Sequence, residues 1–267
     1  MGSTTQADWA RVGIGSSLHP LDAALDYIRE RGGPVLGLYL VAMAPFSVAI
    51  LFLIDVITMP QRAELPFGCM LLAGATLWRW GFLGAAQRRV QADLRGEPPR
   101  PLRQRLGMIL IAKLLLSMVT LWGGLIVVPA FYGVYLSGIA VPLLLEQDGN
   151  LGPLLRQACG WVHRARRRLM WIGVAITMAL LLAVVATFAL HWFLMETVLP
   201  SLLGLNVEDL WLTLRGKAWV LCVAYFLFLA FDYFWTVASV MVFYDLQSRQ
   251  LGSDLRLRLR LLSEARR

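Results

Sequence analysis

Residues 169–194 read LMWIGVAITMALLLAVVATFALHWFL, a run containing no Asp, Glu, Lys or Arg. As a helix it extends about 39 Å at 1.5 Å per residue, enough to cross a hydrocarbon core of about 30 Å. Arg164, Arg166, Arg167 and Arg168 stand immediately before it. Such a cluster anchors one end of a span at a membrane surface. The stretch therefore predicts a transmembrane helix.

Five further apolar segments, over 35–58, 67–87, 107–128, 130–145 and 218–244, repeat the pattern. Pro45 predicts a kink in the first, and Pro129 a break between the third and fourth. If 107–145 instead forms one kinked helix or a re-entrant pair, the crossing count changes. Two amphipathic helices are expected at the membrane interface. In the first, over 20–31, Leu21, Ala24, Leu25 and Ile28 oppose Asp22, Asp26 and Arg29, and Gly32-Gly33-Pro34 is expected to stop it. In the second, over 150–165, Leu151, Leu154, Leu155, Ala158, Cys159 and Val162 form one stripe. Gly96, Pro98, Pro99 and Pro101 argue against a single helix over 88–106. Hydrophobic residues make up 58% of the chain and the mean hydropathy is +0.63, above the range of ordinary soluble domains.

The fold expected is all-α: a polytopic transmembrane helical bundle of about six spans with interfacial amphipathic helices. Residues 1–34 form a cytoplasmic N-terminal segment with the first interfacial helix, 35–244 the bundle, and 245–267 a basic cytoplasmic tail. Orientation follows from the basic residues. With the N-terminus inside, cytoplasmic segments hold 20 Lys and Arg against 3 in the outer loops. Both termini are thus expected in the cytoplasm, in a bacterial inner membrane. The first thirty residues lack an apolar core, so no cleavable signal peptide is expected, and Gln6 does not fit a myristoylation signal. The net charge of +8 lies beside apolar runs, which points to a membrane surface and not to nucleic acid.

Catalytic chemistry finds little support. His19, His163 and His191 are far apart, the three cysteines have no metal-ligand spacing, and no nucleotide loop or nucleophile elbow occurs. No enzyme activity, cofactor or metal is expected. Charges inside the spans carry more information, because they are costly there. Asp232 falls near the middle of the last span, and Arg79 and Lys113 about two turns in from the basic side. Asp232 pairs with Lys113 or Arg79, or else the two cations snorkel to the surface beside Trp78 and Trp80. Small residues at Gly133 and Ser137, and at Gly81 and Ala85, favour close helix packing. Trp161, Trp171 and Trp192 fit interfacial anchors.

Ile126-Val-Val-Pro129-Ala-Phe-Tyr132, Pro142, Leu145-Glu146, Gly149 and Leu155-Arg156, with the later Tyr244-Asp245-Leu246, Arg249, Gly252 and Asp254-Leu255, form an ordered pattern. It resembles the membrane domain of glycerophosphoryl diester phosphodiesterases and related uncharacterised bacterial integral membrane proteins. Gln247, Leu251 and Ala158 stand where arginine, glutamate and serine are usual there. The phosphodiesterase domain that follows some of those membrane domains has no counterpart here. The resemblance implies a fold and a bilayer location, without phosphodiester hydrolysis.

The expected function is a non-enzymatic scaffold or accessory subunit of a membrane-associated assembly. The alternative is a transporter or lipid-handling protein with an intramembrane cavity near Asp232. Arg164, Arg166, Arg167 and Arg168, with Arg256, Arg258 and Arg260 in the tail, are the expected contacts to anionic lipid head groups or to a protein partner on the cytoplasmic face.

Overall fold

The structure is a computed structural model that describes residues 19–58, 64–96, 105–123, 127–147, 149–193 and 217–251. These form seven helices: α1 (His19–Thr58), α2 (Leu65–Arg95), α3 (Leu106–Gly123), α4 (Val127–Glu146), α5 (Leu151–Arg164), α6 (Arg166–Phe193) and α7 (Lys217–Leu251). Among the described residues there is no strand. Three segments, His19–Leu53, Arg166–Leu190 and Tyr225–Arg249, are long and apolar enough to cross a membrane, and Leu106–Met118 and Gly133–Glu146 are shorter apolar helices. The protein is an all-α membrane protein built as a helical bundle.

Side-chain contacts fix how the helices run. Tyr27 meets Asp93, Trp78 meets Val41 and Gly68 meets Leu53, so α1 and α2 are antiparallel. On α7, Tyr233 bonds Gly32, and Leu229 accepts from Tyr39, which makes α1 and α7 antiparallel too. Helices α3 and α4 form an antiparallel pair through Arg105 with Leu144, Lys113 with Ser137, and Thr120 against Gly133. Helices α2, α4 and α7 are mutually parallel, because Arg79 meets Asp232, Gln87 meets Ser239, Gln91 meets Pro142 and Glu146 meets Gln247. One end of the bundle therefore gathers the start of α1 and α3 with the ends of α2, α4 and α7.

The Gly32-Gly33-Pro34 stop expected in the sequence does not occur, because α1 continues through it for 40 residues. The reason is tertiary. Ala24, Tyr27, Gly32, Val35, Tyr39, Ala42, Met43 and Ala49 make one unbroken buried stripe along α1. Interrupting the helix at Pro34 would take half of that stripe off α2 and α7. The absence of a side chain at Gly32 is needed, since a Cβ there would lie 2.8 Å from the Tyr233 hydroxyl. Pro45 also lies inside α1 and cannot donate to the Val41 carbonyl. That carbonyl instead accepts from Trp78 Nε1 at 3.0 Å.

Helix α2 likewise outruns its expected end at 87, reaching Arg95 before Gly96 closes it at φ 67°. Burial of Val90, Gln91 and Ala92 keeps those last two turns helical. Pro98, Pro99 and Pro101 lie outside the described residues. Pro129 falls in the first turn of α4, where its missing N–H breaks no bond. Helix α7 continues past Asp245 to Leu251, further than the expected span.

Helix α5 presents its expected stripe to the bundle. Leu154, Ala158, Trp161 and Val162 are buried, joined by Leu151, Leu155 and Cys159 at the edge of a core with Leu143, Ile172 and Phe243. Trp161 is consequently no interfacial anchor: it is 4% exposed and stacks on Phe243 at 5.8 Å. Trp171 is 58% exposed, and the Trp192 side chain lies outside the described residues.

Candidate functional site

Helix α2 carries Arg79 and Gln87 two turns apart on one face, and α7 carries Asp232, Thr236 and Ser239 at i, i+4 and i+7. The two polar stripes face each other because the helices run parallel. Arg79 Nη2 lies 2.7 Å from Asp232 Oδ1, with both side chains largely buried. The guanidinium also stands over the Phe46 ring at 4.8 Å and the Phe228 ring at 5.6 Å, which partly replaces its lost hydration. Seven residues along α7, Gln87 Nε2 donates to Ser239 Oγ at 2.8 Å.

On its other side this seam opens into a partly open cavity of about 550 Å³ lined by α3 and α4. Its charged lining is Arg79, Lys113 and Asp232, with Gln87, Ser117, Thr120, Ser137 and Thr236 as neutral polar groups, and its apolar wall includes Leu83, Leu116, Val134 and Trp235. Gly138 allows α4 to close on α7, since a Cβ there would lie 3.1 Å from both Ser239 and Trp235. Lys113 Nζ donates to Ser137 Oγ at 2.9 Å and forms no ion pair with a described carboxylate. The three intramembrane charges singled out in the sequence thus line one cavity, with Arg79 holding Asp232 and Lys113 bonded to a hydroxyl. Gln87 Oε1 at the seam is buried without a hydrogen-bond partner, and Asp232 Oδ2 is equally occluded, with the Tyr39 hydroxyl beside the carboxylate.

Gln87, Thr236 and Ser239 were not singled out in the sequence. Their signal is a polar residue recurring at helical spacing inside an apolar run, in register with Arg79 or Asp232. Gly133 packs on Thr120 within the chain, and Ser137 beside it is the Lys113 partner.

The basic end holds a second set of charges. Glu146 accepts from both Arg95 and Gln247, and Arg105 reaches the carbonyls of Leu144 and Gln147 at the end of α4. Of the four arginines before α6, Arg164, Arg166 and Arg167 are exposed. Arg168 instead turns inward, its Nη1 3.0 Å from Asp245 Oδ2, so it serves α7 and not the surface. Arg256, Arg258 and Arg260 lie outside the described residues. Burial pushes the Cys159 thiol above its ordinary range, which keeps it neutral. His163 is exposed and the His191 side chain is outside the described set. Among the described residues no three His, Cys, Asp or Glu side chains gather as a metal site.

Comparison of the chain with protein families, curated proteins and solved structures finds no match.

Proposed function

We propose that this is a multi-pass protein of the bacterial cytoplasmic membrane that takes a lipid or small solute into its intramembrane cavity. Of the two functions the sequence left open, this is the lipid-handling or transport alternative. One observation carries it: the bundle holds a charged, partly open cavity of about 550 Å³ where a scaffold needs only dry packing. That volume is within the ordinary range of ligand sites, about 300–1,000 Å³. Intramembrane charge facing a cavity is the usual mark of a substrate path. Six crossings with both termini in the cytoplasm accommodate the helix directions and the arginine-rich end. Arg164, Arg166 and Arg167 then face anionic head groups at the inner surface.

Solvent access to the cavity is the test. In a background lacking the native cysteines, Ser137→Cys or Thr120→Cys in native membranes should react with a small charged thiol reagent. Leu182→Cys, on the exposed flank of α6, should resist the same reagent because lipid covers it. Equal resistance at all three positions would return the chain to the scaffold reading.

A further inference from the structure

The donors of the cavity outnumber their partners, and this bears on the ligand once the cavity is taken as the functional site. Its described lining holds two cations and one carboxylate, and Arg79 already meets Asp232 at 2.7 Å. Lys113 is left as the excess charge, costly at this depth without a counterion. Its ammonium has three N–H donors, and among the described residues only Ser137 Oγ receives one, at 2.9 Å. Ser137 accepts that bond and leaves its own O–H to donate. Thr120 and Thr236, by contrast, turn their hydroxyls back onto carbonyls of their own helices. Spare donors of Lys113 and Ser137 therefore stand side by side on α3 and α4. Both side chains keep partial exposure, unlike the occluded oxygens of Asp232 and Gln87.

The cavity also has a direction. Toward the arginine-rich end its walls are buried at Gln87, Gly138 and Thr236. Behind them the Gln87–Ser239 and Gln91–Pro142 bonds fasten α2 to α7 and α4. Toward the other end Trp80, Thr120 and Val134 keep exposure, so Lys113 and Ser137 are reached from there.

We infer that Lys113 and Ser137 form a binding site for a singly charged oxyanion, entering from the end of the bundle away from the arginines. The oxyanion accepts from the Lys113 ammonium and the Ser137 hydroxyl and balances the excess charge. A zwitterionic or neutral ligand leaves that charge uncompensated. The chemistry is shared by a lipid head group and a free solute, which the probes separate.

The purified full chain in mild detergent is titrated with three probes at constant ionic strength. Binding is followed by native mass spectrometry for lipids and by thermal shift for all three. Phosphatidylmethanol carries a phosphodiester monoanion on acyl chains, phosphatidylcholine has such chains without net charge, and dimethyl phosphate is the anion without chains. The triple variant R164Q/R166Q/R167Q serves as background, so that surface binding does not mask the cavity. At least one of the two anions should bind more tightly than phosphatidylcholine. Lys113→Gln should weaken that anion by roughly tenfold or more and Ser137→Ala by about fivefold, the scale of a charge-assisted and a neutral hydrogen bond. Lys113→Arg should retain it. Phosphatidylmethanol ahead of dimethyl phosphate identifies a lipid head group as the source, and equal or tighter binding of dimethyl phosphate a free solute. Neither anion exceeding phosphatidylcholine, or anion binding indifferent to Lys113→Gln in a variant that melts with its background, overturns the inference. Where Lys113→Gln destabilises the chain, indifference to Ser137→Ala overturns it instead. If Thr120→Cys is solvent-reactive while neither anion binds, the cavity reading stands and the anion site falls. An unreactive Thr120→Cys with no anion binding removes both.

Discussion

Tyr233 donates its hydroxyl to the Gly32 carbonyl at 2.9 Å across 201 positions of sequence. This bond marks where α7 touches the part of α1 that local sequence alone would have broken. Gly32→Val places two methyl groups against that hydroxyl and should lower the melting temperature in detergent, overpacking costing about 1–3 kcal/mol. Pairing Gly32→Ala with Tyr233→Phe relieves the contact and should restore most of any loss caused by Gly32→Ala alone. A valine variant that melts with the wild type contradicts the close approach.

Asp232→Asn leaves the Arg79 guanidinium without its carboxylate in a largely buried setting. Breaking such a pair from one side costs up to about 3–5 kcal/mol, less here because each side chain keeps some exposure. Arg79→Met combined with Asp232→Asn removes the stranded charge and should melt higher than Asp232→Asn alone, with Arg79→Met completing the set. Additive losses in this double-mutant cycle would show that the two residues are not coupled.

Topology follows from the shared end of α2, α4 and α7. Reporter fusions after Gly96 and Gly149 should read cytoplasmic, and a fusion after Glu64 periplasmic. A periplasmic signal after Gly149 means that α3 and α4 do not both cross.

The arginines before α6 should separate by assay. Replacing Arg164, Arg166 and Arg167 by glutamine should weaken retention on anionic vesicles at low salt and leave melting near the wild-type value, each exposed basic residue contributing about 1 kcal/mol. Arg168→Gln should do the reverse, since it breaks the contact with Asp245 that ties α6 to α7. The same thermal loss in both variants would contradict the division.

Apolar runs made the helical membrane fold legible, because spanning requires length and composition that few other roles demand. The stripe on α5 was legible for the same reason, yet its partner was not: an apolar face fits lipid or a bundle equally, and Trp161 went to Phe243. Depth in the sequence placed Arg79, Lys113 and Asp232 within a few turns of one another. It left open which cation faced the carboxylate, a matter of how α2 and α3 are rotated about their axes. Gly32-Gly33-Pro34 misled because local propensity, about 3 kcal/mol for an interior proline, yields to a long buried stripe.

The parallel run of α2, α4 and α7 has an electrostatic consequence. Each helix carries roughly half a negative charge at its C-terminus and the opposite at its N-terminus, so the three ends are offset by the starts of α1, α3 and α6 beside them. Arg105 on the last carbonyls of α4, with Arg95 and Arg249 in the final turns of α2 and α7, adds a cation locally at each of these three carbonyl ends. In the proposed topology, the arginines that set the orientation thereby also hold helix ends together. On that topology, moving them to the opposite side should invert the insertion signal and loosen the bundle in the same step.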